Sequence, residues 1–414
     1  MNKLFSLSLL SLLLLPMILF SANFPKGSYL KGAIEDITNA SAYFTGHCVV
    51  WSYEEGTWKS NQPDGAGDLG TIPKGDGYWL LTTDGCTITY NNETVNVQNS
   101  QTQNNDTTTS FAANSGTHDI TNAILGNRSV KCSDYANTYT SDVKDIQNNK
   151  SFKGNLVITV SGDTCSLASN AIPNHDFNDA KAHFATQASE QSIDVKIPAS
   201  PAMASAITEL TLGTDNAIML NGVKLDLLAA ACHGVGDGKI GCNDISTPWR
   251  YDPMSSLNQF GTDSHNAHTQ PNGSYHYHGN PKALFDQTGN VASGVIGFAA
   301  DGFAIYGPYF NDNGTIRKAT SSYQLKNGSR VAIDGSNPGG SYDGQYRDDW
   351  EYKTGNGDLD ECNGMSVDGA YGYYVTDSYP HVLGCFKGTP NSSFNKALGG
   401  ASVGGNGQRP PPNR

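Results

Sequence analysis

Short stretches that alternate between hydrophobic and polar residues recur along the chain, separated by turn-forming residues. Four of them predict β-strands, because successive side chains of a strand point to opposite faces. They are residues 155–160 (NLVITV), 193–197 (IDVKI), 217–220 (AIML) and 371–375 (YGYYV). Only residues 178–189, where Ala and Gln collect, favour a helix. The chain is therefore expected to be mainly β, with a sandwich or curled sheet and few short helices.

Changes in composition divide the chain into five segments. The N-terminus combines one lysine, an apolar run and two small residues, which is typical of a secretory signal peptide. A polar stretch, NVQNSQTQNNDTTTS, has the composition of a flexible linker. The predicted segments are a signal peptide over 1–22, a small β-module over 23–98, a linker over 99–114, a β-rich domain over 115–399 and a disordered Gly/Pro tail over 400–414.

The small β-module contains three tryptophans within VVWSYEEGTWK and IPKGDGYWLL. These stretches resemble a recurring N-terminal module of bacterial surface proteins. Trp51, Trp58 and Trp79 either fill the core of the module, which is the more frequent use, or stack on sugar rings. The second interpretation gives the module a protein or glycan partner.

Charge and hydropathy exclude two classes of protein. The chain has 26 basic and 39 acidic residues and a net charge of −13, which is unsuited to tracking the phosphates of a nucleic acid. After the signal peptide, no stretch is long and apolar enough to span a bilayer. The mature protein is therefore expected to be secreted, periplasmic or bound at the cell surface, with no nucleic-acid partner and no membrane span.

The 8 cysteines are expected to pair, because export leads to an oxidising compartment. Pairing neighbours along the sequence keeps each bond inside one structural unit. Thiolate ligation of a metal is the alternative, but the chain contains no CxxC spacing. The predicted disulfides join Cys48 to Cys86, Cys132 to Cys165, Cys232 to Cys242 and Cys362 to Cys385.

Histidines are concentrated in one segment, DSHNAHTQPNGSYHYH, which spans residues 263–278. The Pro-Asn-Gly in its middle favours a three-residue hairpin loop, with glycine in the left-handed position that closes such a loop. That register places His268 opposite His276, and the period of two places His278 on the same face. A two-residue loop would instead pair His265 with His278 and turn His268 away.

Neutral imidazoles that converge on one face typically bind a transition metal. Copper or zinc is the natural candidate once the thiols are used in disulfides. The predicted ligands are His268, His276 and His278, with His265 as the fourth candidate. The alternative is a set of His and Tyr side chains held by hydrogen bonds with no ion.

The same segment, HNAHTQPNGSYHYHGNP, resembles the signature of the YHYH domain family. Further stretches of the chain resemble the family too: SNAIPNH, GFAADGFAIYGPY, GGSYDGQYRDDWEY, GDLDECNG and YVTDSYPHVLGCFKGTP. Together these matches cover roughly residues 165–390. The resemblance implies an exported bacterial protein, and it implies no particular activity, since the family has none that is settled.

Acidic side chains supply two further predictions. Hard oxygen ligands suit calcium, and the candidate calcium ligands are Asp358, Asp360, Glu361 and Asn363. An acidic loop that bonds to its own backbone is the alternative. Three residues are candidates for orienting a ligating histidine through a hydrogen bond: Asp263, Asp301 and His175.

Three functions follow from these residues. The leading hypothesis is an exported protein that binds or stores a transition metal through the histidine hairpin. The first alternative is an enzyme, a hydrolase or oxidoreductase, in which the same ion keeps a vacant position and Asp263 or Asp301 acts as base. The second is a calcium-stabilised surface adhesion or interaction module.

Overall fold

The structure is a computed structural model. It describes residues 108–396 apart from 181–182, 237 and 239, and, before them, 27–32, 44–46, 49–54, 57–61, 68–69, 71–72, 77–82, 86–90 and 93–97. The chain divides into two compact units, Met1–Asn105 and Asp106–Arg414. The predicted signal peptide, the C-terminal tail and Cys48 lie outside the described residues, so the predicted pair of Cys48 with Cys86 stays a prediction.

The first unit consists of antiparallel strands. β1, β5, β3 and β4 form one sheet in that order, and β2, β6 and β7 form another. Trp51 lies opposite Trp79 in the pairing of β3 with β5, and Val50 is fully buried. The strands are β1 Gly27–Gly32, β2 Phe44–Gly46, β3 Val49–Glu54, β4 Thr57–Asn61, β5 Gly77–Thr82, β6 Cys86–Tyr90 and β7 Glu93–Val97.

The larger unit begins with a five-stranded sheet. Its order is β14-β13-β12-β11-β9, and its strands pair antiparallel except that β9 runs parallel to β11. In β11 buried and less buried residues alternate, as expected of a sheet with one face on a core. The strands of this part are β8 Thr108–Thr109, β9 Thr117–Asp119, β10 Ile124–Leu125, β11 Thr138–Asp145, β12 Lys150–Ser161, β13 Thr164–Ser169 and β14 Ile193–Pro198.

An eight-stranded sheet carries the histidine segment. Its order is β18-β19-β17-β16-β20-β21-β27-β26, so the two strands of the hairpin lie at one edge. The central strand β20 is buried on both faces, and its sequence VIGFA is accordingly apolar throughout. Its strands are β16 Ala217–Met219, β17 Lys224–Leu225, β18 Ala267–Thr269, β19 Tyr275–Tyr277, β20 Val295–Ala299, β21 Ala304–Tyr306, β26 Gly364–Val367 and β27 Ala370–Tyr374.

Two-stranded pairs and short 3-10 turns complete the larger unit. The pairs are β8 with β10, β15 Thr208–Glu209 with β28 Cys385–Phe386, β22 Tyr309–Asp312 with β23 Thr315–Lys318, and β24 Tyr323–Leu325 with β25 Trp350–Tyr352. The 3-10 turns are Cys132–Tyr135, Lys282–Leu284, Arg347–Asp349 and Ser392–Phe394. The described residues form no helix of seven residues or more, and no helix among them is both long and apolar enough to cross a bilayer.

One hydrophobic cluster receives side chains from both large sheets, including Leu156 and Leu167 from the first and Val295 and Phe298 from the second. Three disulfides cross-link this unit, and no cysteine whose side chain the structure describes is free. They join Cys132 to Cys165, Cys232 to Cys242 and Cys362 to Cys385, so these three predicted pairs are confirmed.

The mainly β class and the four predicted strands are confirmed, and the helix expected over 178–189 is wrong. Residues described in that range have no regular structure. Asn178 has a positive φ of 56°, and Ser189 donates its backbone N–H to the Gly273 carbonyl. This segment therefore binds along the histidine hairpin, where a helix would withdraw its backbone groups into internal hydrogen bonds.

Ordered structure also starts earlier than the linker prediction implies. Residues 108–114 fall inside the expected linker, yet Thr108–Thr109 pairs with Ile124–Leu125. The Phe111 ring stacks on the His118 ring at 4.0 Å between centroids. The polar composition of these residues did not predict the contacts, because Thr and Ser occur in short edge strands as well as in linkers.

Candidate metal centre

The histidine hairpin has the register that the three-residue loop predicts. His268 lies opposite His276, with Ala267 opposite Tyr277. Gln270 donates its backbone N–H to the Ser274 carbonyl at 2.9 Å, and Gly273 donates to the Gln270 carbonyl at 2.8 Å. The positive φ of Gly273, 82°, is the left-handed position that the loop requires. The predicted register is confirmed.

Gly273 also allows close approach of a neighbouring segment. A Cβ atom here would collide with the Ser189 hydroxyl and lie 2.9 Å from the Gln187 carbonyl oxygen. The side chain of Thr269 donates to the Thr186 carbonyl in the same segment. The hairpin is therefore fixed along its outer edge, and its side chains are held in one arrangement.

Three imidazoles meet on one face of this hairpin. The Nε2 atom of His278 lies 3.0 Å from Nε2 of His276 and 3.0 Å from Nε2 of His268. His276 and His278 are buried, at 2% and 4% exposure, and His268 is partly exposed. Nitrogen ligands of a tetrahedral zinc ion at 2.0–2.1 Å would lie about 3.3 Å apart, close to the observed spacing. Among the described residues, this group of three could hold a metal ion.

Hydrogen-bond partners fix the protons of two of these rings. His268 Nδ1 lies 2.6 Å from the Phe260 carbonyl oxygen, and His276 Nδ1 lies 3.3 Å from the Ser274 carbonyl oxygen. Since a carbonyl only accepts, both Nδ1 atoms carry the proton and both Nε2 atoms present a bare lone pair. These two lone pairs face His278, whose Nε2 has at most one proton to donate. One nitrogen therefore faces another without a proton between them, whereas a cation would satisfy all three.

Burial keeps the three rings neutral. It lowers the pKa of His276 and His278 well below the ordinary histidine value, and in each the neighbouring rings of the group lower it further. Burial also lowers the pKa of His268, against the opposing effect of the Phe260 carbonyl. The backbone of Asp226 opposes the lowering of the His278 pKa. Nδ1 of His278 nevertheless has no hydrogen-bond partner of regular geometry among the described residues. Neutral imidazole is the form that binds metals.

The tyrosines of the hairpin point to the opposite face, as the period of two predicts. Tyr275 donates its hydroxyl to Asp263 at 2.7 Å. The Tyr277 hydroxyl lies 2.7 Å from His175 Nε2 and accepts from Asn221 at 3.0 Å. Asp263 and His175 therefore hold the tyrosine face of the strand and touch none of the three imidazoles, unlike the role predicted for them.

His265 also lies away from the group of three. Its ring packs against that of His175 at 3.8 Å between centroids, with the planes tilted by 40°, and its Nε2 is 4.0 Å from an Asp179 oxygen. Both rings line an open cleft of about 490 Å³. The structure thus brings together three of the four predicted metal ligands and places the fourth, His265, on the other side of the strand.

Asp301 belongs to a different part of the large sheet. Its carboxylate accepts from the Tyr373 hydroxyl at 2.6 Å and from the Gly388 N–H at 2.9 Å. Burial raises its pKa, and the Tyr373 hydroxyl opposes that change. These contacts tie β27 to the segment that follows β28, and none reaches the histidine hairpin.

The acidic loop predicted to bind calcium is neutralised by cations of the chain. Asp358 accepts two hydrogen bonds from Arg317, at 2.7 and 2.8 Å, which hold the pKa of that carboxyl down to about 2. Lys387 lies 3.3 Å from Asp360 and 2.6 Å from Glu361. Asn363 donates its side-chain amide to backbone carbonyls. The calcium site stays a prediction, and ion pairs already engage oxygens of Asp358, Asp360 and Glu361.

Sequence reasoning overlooked one charged residue beside the imidazoles. Strand β17 pairs parallel with β19, placing Lys224 beside His276 and Leu225 beside Tyr277. Asp226 follows, is 4% exposed, and accepts from Gln270 at 2.9 Å and Lys396 at 2.6 Å. The signal in the sequence was an acid within the apolar run VKLDLL, which is costly to bury without a partner.

Comparison with protein families identifies one match, to the family described as YHYH protein, over residues 194–388. That range contains the histidine hairpin, β17 and the acidic loop, but not His175. Neither the curated proteins nor the solved structures yielded a match to the chain. The resemblance of the N-terminal module to bacterial surface proteins stays a prediction. Residues 194–388 therefore match the YHYH family, as the sequence motifs implied.

Proposed function

We propose that this protein is an exported metal-binding protein that holds copper or zinc through His268, His276 and His278. One observation carries the proposal. Two buried imidazoles and one partly exposed imidazole, all neutral, bring their Nε2 atoms together, with Nε2 of His278 3.0 Å from each of the other two, and they hold too few protons to satisfy one another. A transition-metal ion supplies the missing positive charge and accepts all three lone pairs.

The remaining features of the larger unit are consistent with export. Three disulfides are compatible with an oxidising compartment, and the N-terminal sequence favours a secretory signal. Since thiols are consumed in these bonds, nitrogen ligands are what the unit offers to a metal. Imidazole suits both copper and zinc.

A metal-dependent enzyme is the second candidate. Its support is the number of ligands, because three protein ligands leave a coordination position open, as in catalytic zinc sites. The partial exposure of His268 gives that position a route to solvent. The two carboxylates that the sequence offers as bases, Asp263 and Asp301, accept hydrogen bonds from tyrosine hydroxyls away from the three imidazoles.

The test is metal content. Purified mature protein is stripped with a chelator, reloaded separately with Cu²⁺ and Zn²⁺, desalted and measured by elemental analysis. The wild type is expected to retain about one ion per chain, and the double variant His276→Ala/His278→Ala less than a tenth of that. His265→Ala is the matched control, because it removes a histidine from the same segment but from the opposite face, and it should retain the ion. Equal retention by the double variant would refute the proposed ligand set.

A further inference from the structure

The face of the sheet that bears the three imidazoles also bears a buried carboxylate. Residues paired across neighbouring strands point to the same side. Lys224 is paired with His276, so Asp226, two residues on, lies on the face of His276 and His278. Asp226 donates its backbone N–H to the Tyr277 carbonyl at 2.9 Å, which continues the strand pairing.

Contacts between side chains agree with that placement. Gln270, two residues after His268 on the same face, donates to Asp226 Oδ2 at 2.9 Å. Lys224 lowers the pKa of His276 through its charge, and Lys396, the ion-pair partner of Asp226, does the same for His278. Asp226, His276 and His278 therefore lie near the same pair of lysines, Lys224 and Lys396.

The two oxygens of Asp226 differ. Oδ2 receives Gln270 and Lys396, whereas Oδ1 is buried and has no hydrogen-bond partner among the described residues. Leaving a buried acceptor without a hydrogen-bond partner is costly. Asp226 does not belong to the group whose ligand atoms lie within 4.8 Å of one another, so it shares the face of the candidate ligands without being one of them.

Asp226 belongs to a network of ion pairs with Lys396, Asp215 and Lys224. Lys396 bridges Asp226 and Asp215, at 2.6 and 3.6 Å, and Lys224 bonds to Asp215 at 3.2 Å. These four side chains form an alternating chain of charge. Within it Asp215 has two cationic partners, while the Oδ1 atom of Asp226 is left as an acceptor.

We propose that Asp226 is a positioning residue that selects the external ligand of the metal: its free Oδ1 accepts a hydrogen bond from that ligand. This inference rests on the proposed function. It restricts the ligand to hydrogen-bond donors such as water, alcohols or amines. A proton-free anion would meet the carboxylate charge directly, and like charges brought together in this way are strongly disfavoured.

The test is azide binding to the Cu²⁺-loaded protein, followed by the visible charge-transfer band. Asp226→Asn is isosteric: its carbonyl can keep the bonds from Gln270 and Lys396, which places an N–H₂ donor where Oδ1 stood. The variant is expected to keep its copper content and to bind azide about tenfold more tightly than the wild type, a change of about 1.4 kcal/mol. Asp226→Ser removes the charge without adding the amide, so its affinity should fall between the two.

Asp215→Asn is the matched control. It removes one negative charge from the same chain of ion pairs, and it should change azide affinity less than threefold. Equal azide affinity in the wild type, Asp226→Asn and Asp226→Ser, each with full copper content, would overturn the inference and leave the metal site standing. A wild type that holds no copper would instead refute the proposed function, and the inference with it. Unfolding of both Asp226 variants, judged by circular dichroism, would assign the carboxylate to the sheet itself and also overturn the inference.

Discussion

The histidine hairpin and the acidic loop at residues 358–363 are both rich in residue types that bind metals, yet their side chains have different partners in the structure. In the hairpin, the nitrogen ligands of three histidines meet. No cationic side chain among the described residues hydrogen-bonds to their Nε2 atoms. In the loop, Arg317 and Lys387 already neutralise the acids. The number of potential metal ligands therefore predicts a metal site less well than their hydrogen-bond partners do. A carboxylate that is paired with a lysine or arginine must first give up that partner to bind an ion.

The largest expected difference is in metal-dependent stability. Zn²⁺ or Cu²⁺ at a thousand times its dissociation constant should stabilise the folded protein by about 4 kcal/mol, since the unfolded chain does not hold the three imidazoles together. Ca²⁺ at the same concentration should stabilise the larger unit by less than 1 kcal/mol. Chemical denaturation with each ion measures both effects. Stabilisation by Ca²⁺ equal to that by Zn²⁺ would reverse the comparison and restore the calcium interpretation of the loop.

The second effect concerns the bond that holds the acidic loop. Cys362 and Cys385 are joined across a sequence separation of 23, and opening a loop of that size costs about 3 kcal/mol of stability. The double variant Cys362→Ser/Cys385→Ser should lose that amount in denaturation experiments. Its retention of Zn²⁺ should equal that of the wild type, because the bond lies in the loop and not in the hairpin. A parallel loss of Zn²⁺ from the folded variant would show that the two regions are coupled.

The third effect is a dependence of stability on pH. Burial lowers the pKa of His175 to about 3, so below its unfolded value of 6.5 the unfolded chain binds a proton that the folded chain refuses. Stability is therefore lost as pH falls from about 6.5 towards 3, by about 1.4 kcal/mol per pH unit for this one group. Denaturation at pH 6 and pH 5 should show a smaller loss in His175→Gln than in the wild type. Equal losses in the two proteins would contradict the assigned burial.

The smallest effect is expected from the acidic loop itself. Arg317 holds the pKa of Asp358 down to about 2, so the interaction is present above the ordinary aspartate value and lost as pH falls towards 2. Both side chains are partly exposed, and pairs of this kind contribute about 1 kcal/mol or less. Arg317→Gln should therefore lower stability by that amount at pH 7 and by less at pH 3. Lys153→Gln is a control in a fully exposed pair and should have no measurable effect.

Local patterns predicted the strands and the hairpin, because alternation and turn chemistry act over a few residues. The convergence of His268, His276 and His278 followed from the loop type, as residue pairs in a hairpin are fixed by its turn. The parts that were missed depend on contacts between distant segments. His265 was a candidate because it is near in sequence, but the packing of its ring against His175 could be seen only in three dimensions.

Asp226 was missed for a related reason. Its place beside the imidazoles depends on the insertion of β17 between β16 and β19, and a parallel neighbour leaves no local signature. The helix expected over 178–189 failed because that stretch bonds to the hairpin loop. In each case tertiary contacts outweighed a local preference.

All three imidazoles come from residues 268–278, while the neighbouring strand β17 comes from an earlier part of the chain. Closing so short a loop costs an unfolded chain little entropy, whereas seating β17 requires the large sheet to assemble. The ligand set can thus form at an early stage of folding, before the sheet that buries it. A chain that crosses a membrane unfolded would acquire its ion where it emerges, and the supply of metal in that compartment would decide which ion is trapped.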